Sequence, residues 1–336
     1  MAAAPPVAAK APLRGIGMGG ITGSPVALGI TVAFLVLLGF VPLLHNGYFE
    51  NLARGVLMFS TLSLGWNIIG GYTGYVSFGN VVFFGLGAYT TASLWQHFHQ
   101  QNIVVAIGVA IVVAIVFAAI LGVPILRLKG HYFGIATLGI ALATQEIIAN
   151  TDWLGGGSGA TVRQLENYSI YYYAMWCVCA GSMLVTFLIS RSKFGYALVA
   201  IRENEEAAAI LGVDATRFKV IAWAISGSMA AAAGAVFAGA NGFIDGPTAF
   251  AIDNNVFPIV MTILGGVGTV AGPLVGAVIL TAINETLWSH FPQVHTLFFG
   301  AVIVLVVLFL PRGILWLANV RGGWRGIKTA LGAYRV

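Results

Sequence analysis

Apolar residues in this chain gather into long runs, and short polar or glycine-rich stretches punctuate them. The runs cover 26–44, 52–70, 75–96, 103–124, 133–150, 168–190, 219–242, 254–269, 271–288 and 296–315. Most come close to the ~20 residues with which a helix crosses ~30 Å of hydrocarbon. The pattern therefore predicts about ten transmembrane helices. The pair between 254 and 288 is ambiguous, because "ILGGVGTVAGPLVG" reads either as a tight turn or as a broken helix. Residues 1–25 are rich in proline, alanine and glycine and are expected to form a disordered cytoplasmic leader. With the first long apolar run starting only near Val26, this does not look like a cleaved signal.

Composition fixes the solvent. Hydrophobic residues make up 59% of the chain, charged residues 8%, and mean hydropathy is +0.91. A soluble domain carries about a quarter charged residues. The expected class is an all-α integral membrane protein, with a polytopic transmembrane domain at 26–318 and a basic cytoplasmic tail at 319–336.

A net charge of +5 could suggest nucleic acid, but its distribution excludes that reading. If the N-terminus is inside, Lys10, Arg14, Arg127, Lys129, Arg191, Lys193, Arg202, Arg217, Lys219 and the basic residues from Arg312 onward are all cytoplasmic. Of the 16 basic residues, only Arg54 and Arg163 fall outside. The positive-inside rule then places both termini in the cytoplasm. The opposite loops, 151–167 and 243–253, carry Asp152, Glu166, Asp245 and Asp253.

The longest cytoplasmic connection, 191–219, gathers charge around "NEEAAAILG". Asn204 suits an N-cap, Glu205 and Glu206 suit the positive end of a helix dipole, and Gly212 suits the C′ position. A helix of about two turns is predicted, too short to be stable alone in water. It must dock on its own bundle or on another protein. Asp214 is placed to cap the helix that follows, and the flanking Arg191, Lys193, Arg217 and Lys219 are expected to meet anionic lipid.

Glycines cluster twice more, at 70–79 and 264–272. Such clusters either let helices pack closely or break helices beside a polar pathway. The second reading would use Tyr72, Thr73, Ser77, Asn80 and Thr269.

Glu146 and Glu285 lie within about a turn of the outer ends of their spans and read as interfacial or capping groups. No carboxylate lies near the middle of a span, as an ion-coupled secondary transporter would require, and no cluster of polar residues at one depth suggests a membrane enzyme. The histidines show no metal spacing, and Cys177 and Cys179 point apart on one helix. Trp153, Trp223, Trp288 and Trp316 read as interfacial anchors. Gly15-x-Gly17-x-x-Gly20 and Gly266-x-Gly268-x-x-Ala271 fit a dinucleotide fingerprint but follow no strand. The chain contains no G-x-x-x-x-G-K-[ST].

The pattern Glu206-Ala207-Ala208-x-x-x-Gly212 resembles the EAA loop of ABC importer permeases. Together with "GYTGYVSFGNVVFFGLGAYT", "RLKGHYFGIATL", "DWLGGGSGAT", "ILGGVGTVAGPLVGA" and "LVVLFLPRGIL", in that order, it resembles the M-type permease subunit of the branched-chain amino-acid ABC importers, the LivM family. The resemblance runs from about residue 40 to 320. It implies the helical fold of type II, vitamin B12-type importers, in the bacterial inner membrane.

It also implies a homologous H-type permease, two ABC ATPases and a periplasmic solute-binding protein as partners. ATP and magnesium would sit on the ATPases, and no cofactor on this chain. Glu205, Glu206, Ala207, Ala208 and Gly212 would form the coupling helix. Tyr72, Tyr75, Ser77, Asn80, Gly266 and Thr269 would belong to the translocation pathway. The chain departs from the family at Tyr75 and Asn80, where members usually carry glutamine and histidine. That departure leaves room for urea, short amides or aromatic acids as cargo.

Overall fold

The structure is a computed structural model, and it describes residues 25–99, 101–128, 130–162, 164, 168–290, 297, 300, 301, 304 and 313–315. Residues 1–24 of the expected leader, most of the predicted span at 296–315, Trp316 and the whole basic tail at 319–336 lie outside the described residues.

The helices are α1 (Pro25–Leu38), α2 (Gly47–Trp66), α3 (Asn80–His97), α4 (Ile103–Ile125), α5 (His131–Ala149) and α6 (Ser169–Arg191). They continue with α7 (Lys193–Glu203), α8 (Glu205–Ile210), α9 (Ala215–Asn241), α10 (Gly246–Ala249), α11 (Asp253–Gly265) and α12 (Gly272–His290). Side-chain caps start several of them. Asn46, Asn102, Ser192, Asn204, Asp214 and Asp245 each accept a hydrogen bond from a first-turn amide. Among the described residues six helices are long and apolar enough to cross a membrane, and two shorter apolar helices accompany them.

α9 is the central element, packed chiefly against α3 and α4. On α4 a four-residue repeat of small side chains, Ala106, Ala110, Ala114, Ala118 and Gly122, is buried on this side. Its other face leaves Val104 and Ile120 exposed, the surface expected of a helix bordered by lipid. α3 and α9 touch backbone to backbone: a Cβ on Gly87 would collide with the Ala231 carbonyl, and one on Gly234 with the Phe84 carbonyl.

At the end of the bundle opposite the charged loop, a two-residue ribbon pairs β1 (Ala160–Thr161) antiparallel with β2 (Phe243–Ile244), Ala160 facing Ile244. It ties the segment after α5 to the segment after α9.

Several expectations are corrected here. The 75–96 run does not begin its helix until Asn80, because Tyr75–Gly79 is irregular backbone held by side chains. The 52–70 run starts earlier, at Gly47, and its last turn widens into a π-helix over Asn67–Tyr72. The 254–288 stretch is two helices folded against each other: a Cβ on Gly276 would strike the Met261 carbonyl and one on Gly265 the Gly272 carbonyl, an antiparallel register. Trp223 is fully buried and meets Phe83 edge-on, with ring centroids 5.0 Å apart, so it anchors no interface. α9 is enclosed by its neighbours, so a tryptophan near its end still faces protein. Trp153 is exposed and stacks on His97. Cys177 is exposed and Cys179 buried, and both are free thiols.

Candidate functional site

The charged loop folds as an elbow of two helices, α7 and α8. Asn204 caps α8 through its Oδ1, which accepts from the Glu206 and Ala207 amides, each at 3.0 Å. The far end closes with paired turns, the Val213 amide donating to the Ala208 carbonyl and the Gly212 amide to Ala209, both at 3.0 Å. Gly212 has φ +85°, which a residue with a Cβ adopts only under strain. The two alanines part company here. Ala208 is buried against the chain's own body, whereas Ala207 faces outward. The outward surface continues into Ile210 and Leu211, 87% and 81% exposed.

Lys219 overturns one expectation. It does not meet lipid: its side chain is 1% exposed, and its ammonium lies 2.9 Å from the Glu205 carboxylate. It also donates to the Leu126 carbonyl and to the Tyr75 hydroxyl, both at 3.1 Å. The Tyr75 hydroxyl donates in turn to Glu205 at 2.5 Å. Lys219 sits on the first turns of α9, on the side that α4 and the first glycine segment cover, so the ammonium is desolvated. A buried charge is tolerated only when paired and hydrogen-bonded. The carbonyl of Leu126, at the negative end of α4, adds to that pairing.

The two glycine clusters meet. Asn67, fully buried in the π-turn, donates through Nδ2 to the Thr269 carbonyl and accepts through Oδ1 from the Gly268 amide, both at 2.8 Å. Gly71 lies beside this clamp, and Arg202 from α7 donates to its carbonyl at 2.8 Å. Beyond Gly71 the chain turns back toward the bundle interior as irregular backbone. Irregular backbone among membrane helices must find its hydrogen bonds within the protein. It does so here: the Trp66 indole donates to the Ser77 carbonyl at 2.9 Å, and the Phe78 amide to Thr137 at 3.0 Å. The Phe78 carbonyl accepts from Asn255, and Asn80 donates to Ser226 at 3.1 Å.

Of the residues singled out for a pathway, Tyr72, Ser77, Asn80 and Gly266 are buried within this chain, and Tyr75 and Thr269 are half-buried. Ser77 and Asn80 hold the first glycine loop, while Thr269 and Gly266 form the second. Tyr75 instead joins the Glu205–Lys219 pair. The dinucleotide-like Gly266-x-Gly268-x-x-Ala271 is the turn between α11 and α12. Asn67, Arg202 and Asn255 were not anticipated. A polar residue inside an apolar run, such as Asn67, is the signal that would have found the first. Glu146 is exposed and bonds Asn150 at 2.8 Å, a capping role, and Glu285 accepts from Tyr48 at 3.2 Å. Among the described residues no three histidine, cysteine or acidic side chains gather as a metal site.

Long apolar helices, broken backbone satisfied from within, and a short docked helix at the basic end define a multi-pass membrane protein. The chain matches, over residues 48–307, the family described as branched-chain amino acid transport system / permease component, and it belongs to that family. It is 28% identical over 317 residues to the high-affinity branched-chain amino acid transport system permease protein LivM of Escherichia coli, covering 84% of this chain and 74% of that protein. The probable LivM of Methanocaldococcus jannaschii is 23% identical, over 77% of this chain and 90% of its own length. The LivH permease of Salmonella typhimurium is 25% identical, over 80% and 95%. No solved structure matches the chain.

Proposed function

We propose that this chain is the permease subunit of an ATP-driven importer of the bacterial inner membrane. Paired with a homologous H-type permease, it forms the pathway for branched-chain or other hydrophobic amino acids, which a periplasmic binding protein delivers. The observation that carries this reading is α8. It is a capped helix at the basic end whose outward Ile210 and Leu211 are nearly fully exposed where charged residues mark the bilayer edge. Large apolar side chains in water at such a place suit a protein partner.

In this reading the basic end is cytoplasmic, as are both termini. The partner is one of two ATPases, which bind ATP and magnesium, and the bundle has the type II importer arrangement with about ten spans. ATP-driven closure of the motor moves α8, and the motion opens the pathway to the other side.

Reconstitution of the complex with ATP trapped inside proteoliposomes tests this. Leucine supplied outside with the binding protein is expected to accumulate only when ATP is present. Competition by urea, acetamide and phenylalanine separates the cargo classes that Tyr75 and Asn80 leave open. Uptake that ignores ATP but follows a proton or sodium gradient would overturn the reading in favour of a secondary transporter. Glu146 and Glu285, both near the ends of their helices, offer no deep ion site for one.

A further inference from the structure

The coupling elbow grips the first glycine loop at two points. Arg202, at the end of α7, holds the Gly71 carbonyl at 2.8 Å. Four residues on, the Tyr75 hydroxyl lies between Glu205 of α8 at 2.5 Å and Lys219 of α9 at 3.1 Å. The ammonium also stands 4.4 Å from the centre of the Tyr75 ring, and that ring meets Phe133 of α5 edge-on at 5.3 Å. The other end of the loop is held from within the bundle, by Thr137 at the Phe78 amide and by Ser226 at Asn80. Between the two sets of contacts lies irregular backbone, held by side chains such as the Trp66 indole at the Ser77 carbonyl rather than by a helix or strand ladder. Gly74, at φ +75°, turns the chain between the Arg202 and Tyr75 contacts.

We propose that Tyr75 is a positioning residue. Its hydroxyl, held by Glu205 and Lys219, passes displacement of α8 to the glycine loop at Gly71–Asn80. This rests on the importer reading and adds a route through the chain to it. A small motion at α8 cannot slide freely past this contact. Glu205 lies on α8 itself, and its partner Lys219 is 1% exposed and bonded to the end of α4. The hydroxyl and the carboxylate therefore move together, or the buried ion pair is left incomplete, which costs free energy. Allosteric coupling between two sites typically amounts to about 5- to 150-fold.

Tyr75→Phe is the cleanest test, because the ring and its packing stay and only the hydroxyl goes. The complex is reconstituted in proteoliposomes, and leucine uptake and ATP hydrolysis are read in parallel. The variant is expected to copurify with both ATPases, with only a small fall in melting temperature from the lost hydroxyl contacts. It should nevertheless move at least about fivefold less leucine per ATP.

A second readout does not depend on the cargo. With Cys177 and Cys179 replaced by serine, a cysteine placed at Val76, which is exposed on the loop, reports on it by its maleimide reaction rate. Nucleotide should change that rate in the otherwise unaltered protein and not in Tyr75→Phe. If Tyr75→Phe keeps the wild-type transport ratio and the nucleotide response, the proposal is overturned while the importer reading stands. If the wild-type chain binds no ATPase at all, both fall.

Discussion

Ala207 and Ala208 are adjacent in sequence and have opposite surroundings. Ala208 is 2% exposed, pressed against the body of the chain, while Ala207 faces away from it. Arginine at the two positions therefore has different consequences. Ala208→Arg forces a charged side chain into a closed contact, at a cost of several kcal/mol unless α8 undocks. A lower melting temperature of the purified chain is the expected sign. Ala207→Arg should leave melting unchanged and obstruct whatever covers the outward face. An interface centre is sensitive to such a change, so ATPase copurification is expected to weaken at least about tenfold. Equal loss of binding from both variants, with no difference in melting, would mean that α8 does not dock on the bundle. The sequence pointed to the helix, its cap at Asn204 and its glycine stop, since these are local chemistry. Which alanine turns inward was not legible, because a helix of six residues is too short to display a periodic face.

Between elements, glycine decides how closely helices approach. A Cβ at Gly87 would run into the Ala231 backbone, which no side-chain rearrangement relieves. Gly87→Val should separate α3 from α9 and destabilise the bundle by about 1–3 kcal/mol or more. Gly108 on α4 is the control, because a Cβ there meets nothing within 4 Å. Gly108→Val should express and melt like the parent, and in a helix bordered by lipid it exchanges a small apolar surface for a larger one. Expression level and thermal melting in detergent distinguish the pair. Matching losses at both positions would show that helix propensity, rather than the crossing, sets the cost. The apolar runs announced the helices themselves, and caps such as Asp214 explain why α9 starts before its run. The break at Tyr75–Gly79 was hidden, because Val76 and Phe78 keep the stretch as apolar as a span. Its backbone partners, Thr137 and Asn255, lie 59 and 177 residues away. Contacts of that separation leave no trace in a local pattern.

Across the whole molecule, charge and architecture agree on two ends. The elbow and the helix ends that flank it bring Arg191, Arg202, Arg217 and Lys219 to one end, and α4 delivers Arg127 to it. The β1–β2 ribbon gathers the acidic loops with Asp152 and Asp245 at the other. The bias of basic residues was readable from the sequence, and the proposed orientation with the elbow inside follows from it. What it could not reveal is that Lys219 owes its place to Glu205 and Tyr75 rather than to lipid headgroups. Such a charge contributes to the count for a reason unrelated to lipid, so sidedness should be tested at residues that are exposed to water. Asp152 is exposed at the acidic end, and the Arg217 side chain is 83% exposed at the basic end. Cysteine at each, in a chain with Cys177 and Cys179 replaced by serine, can be treated in intact spheroplasts with an impermeant maleimide. Position 152 is expected to react at once, and position 217 only after the membrane is opened by detergent. Reaction at 217 in sealed cells would invert the bundle. It would place α8 outside, beyond the reach of any ATP-binding partner, and the importer reading would fail with it.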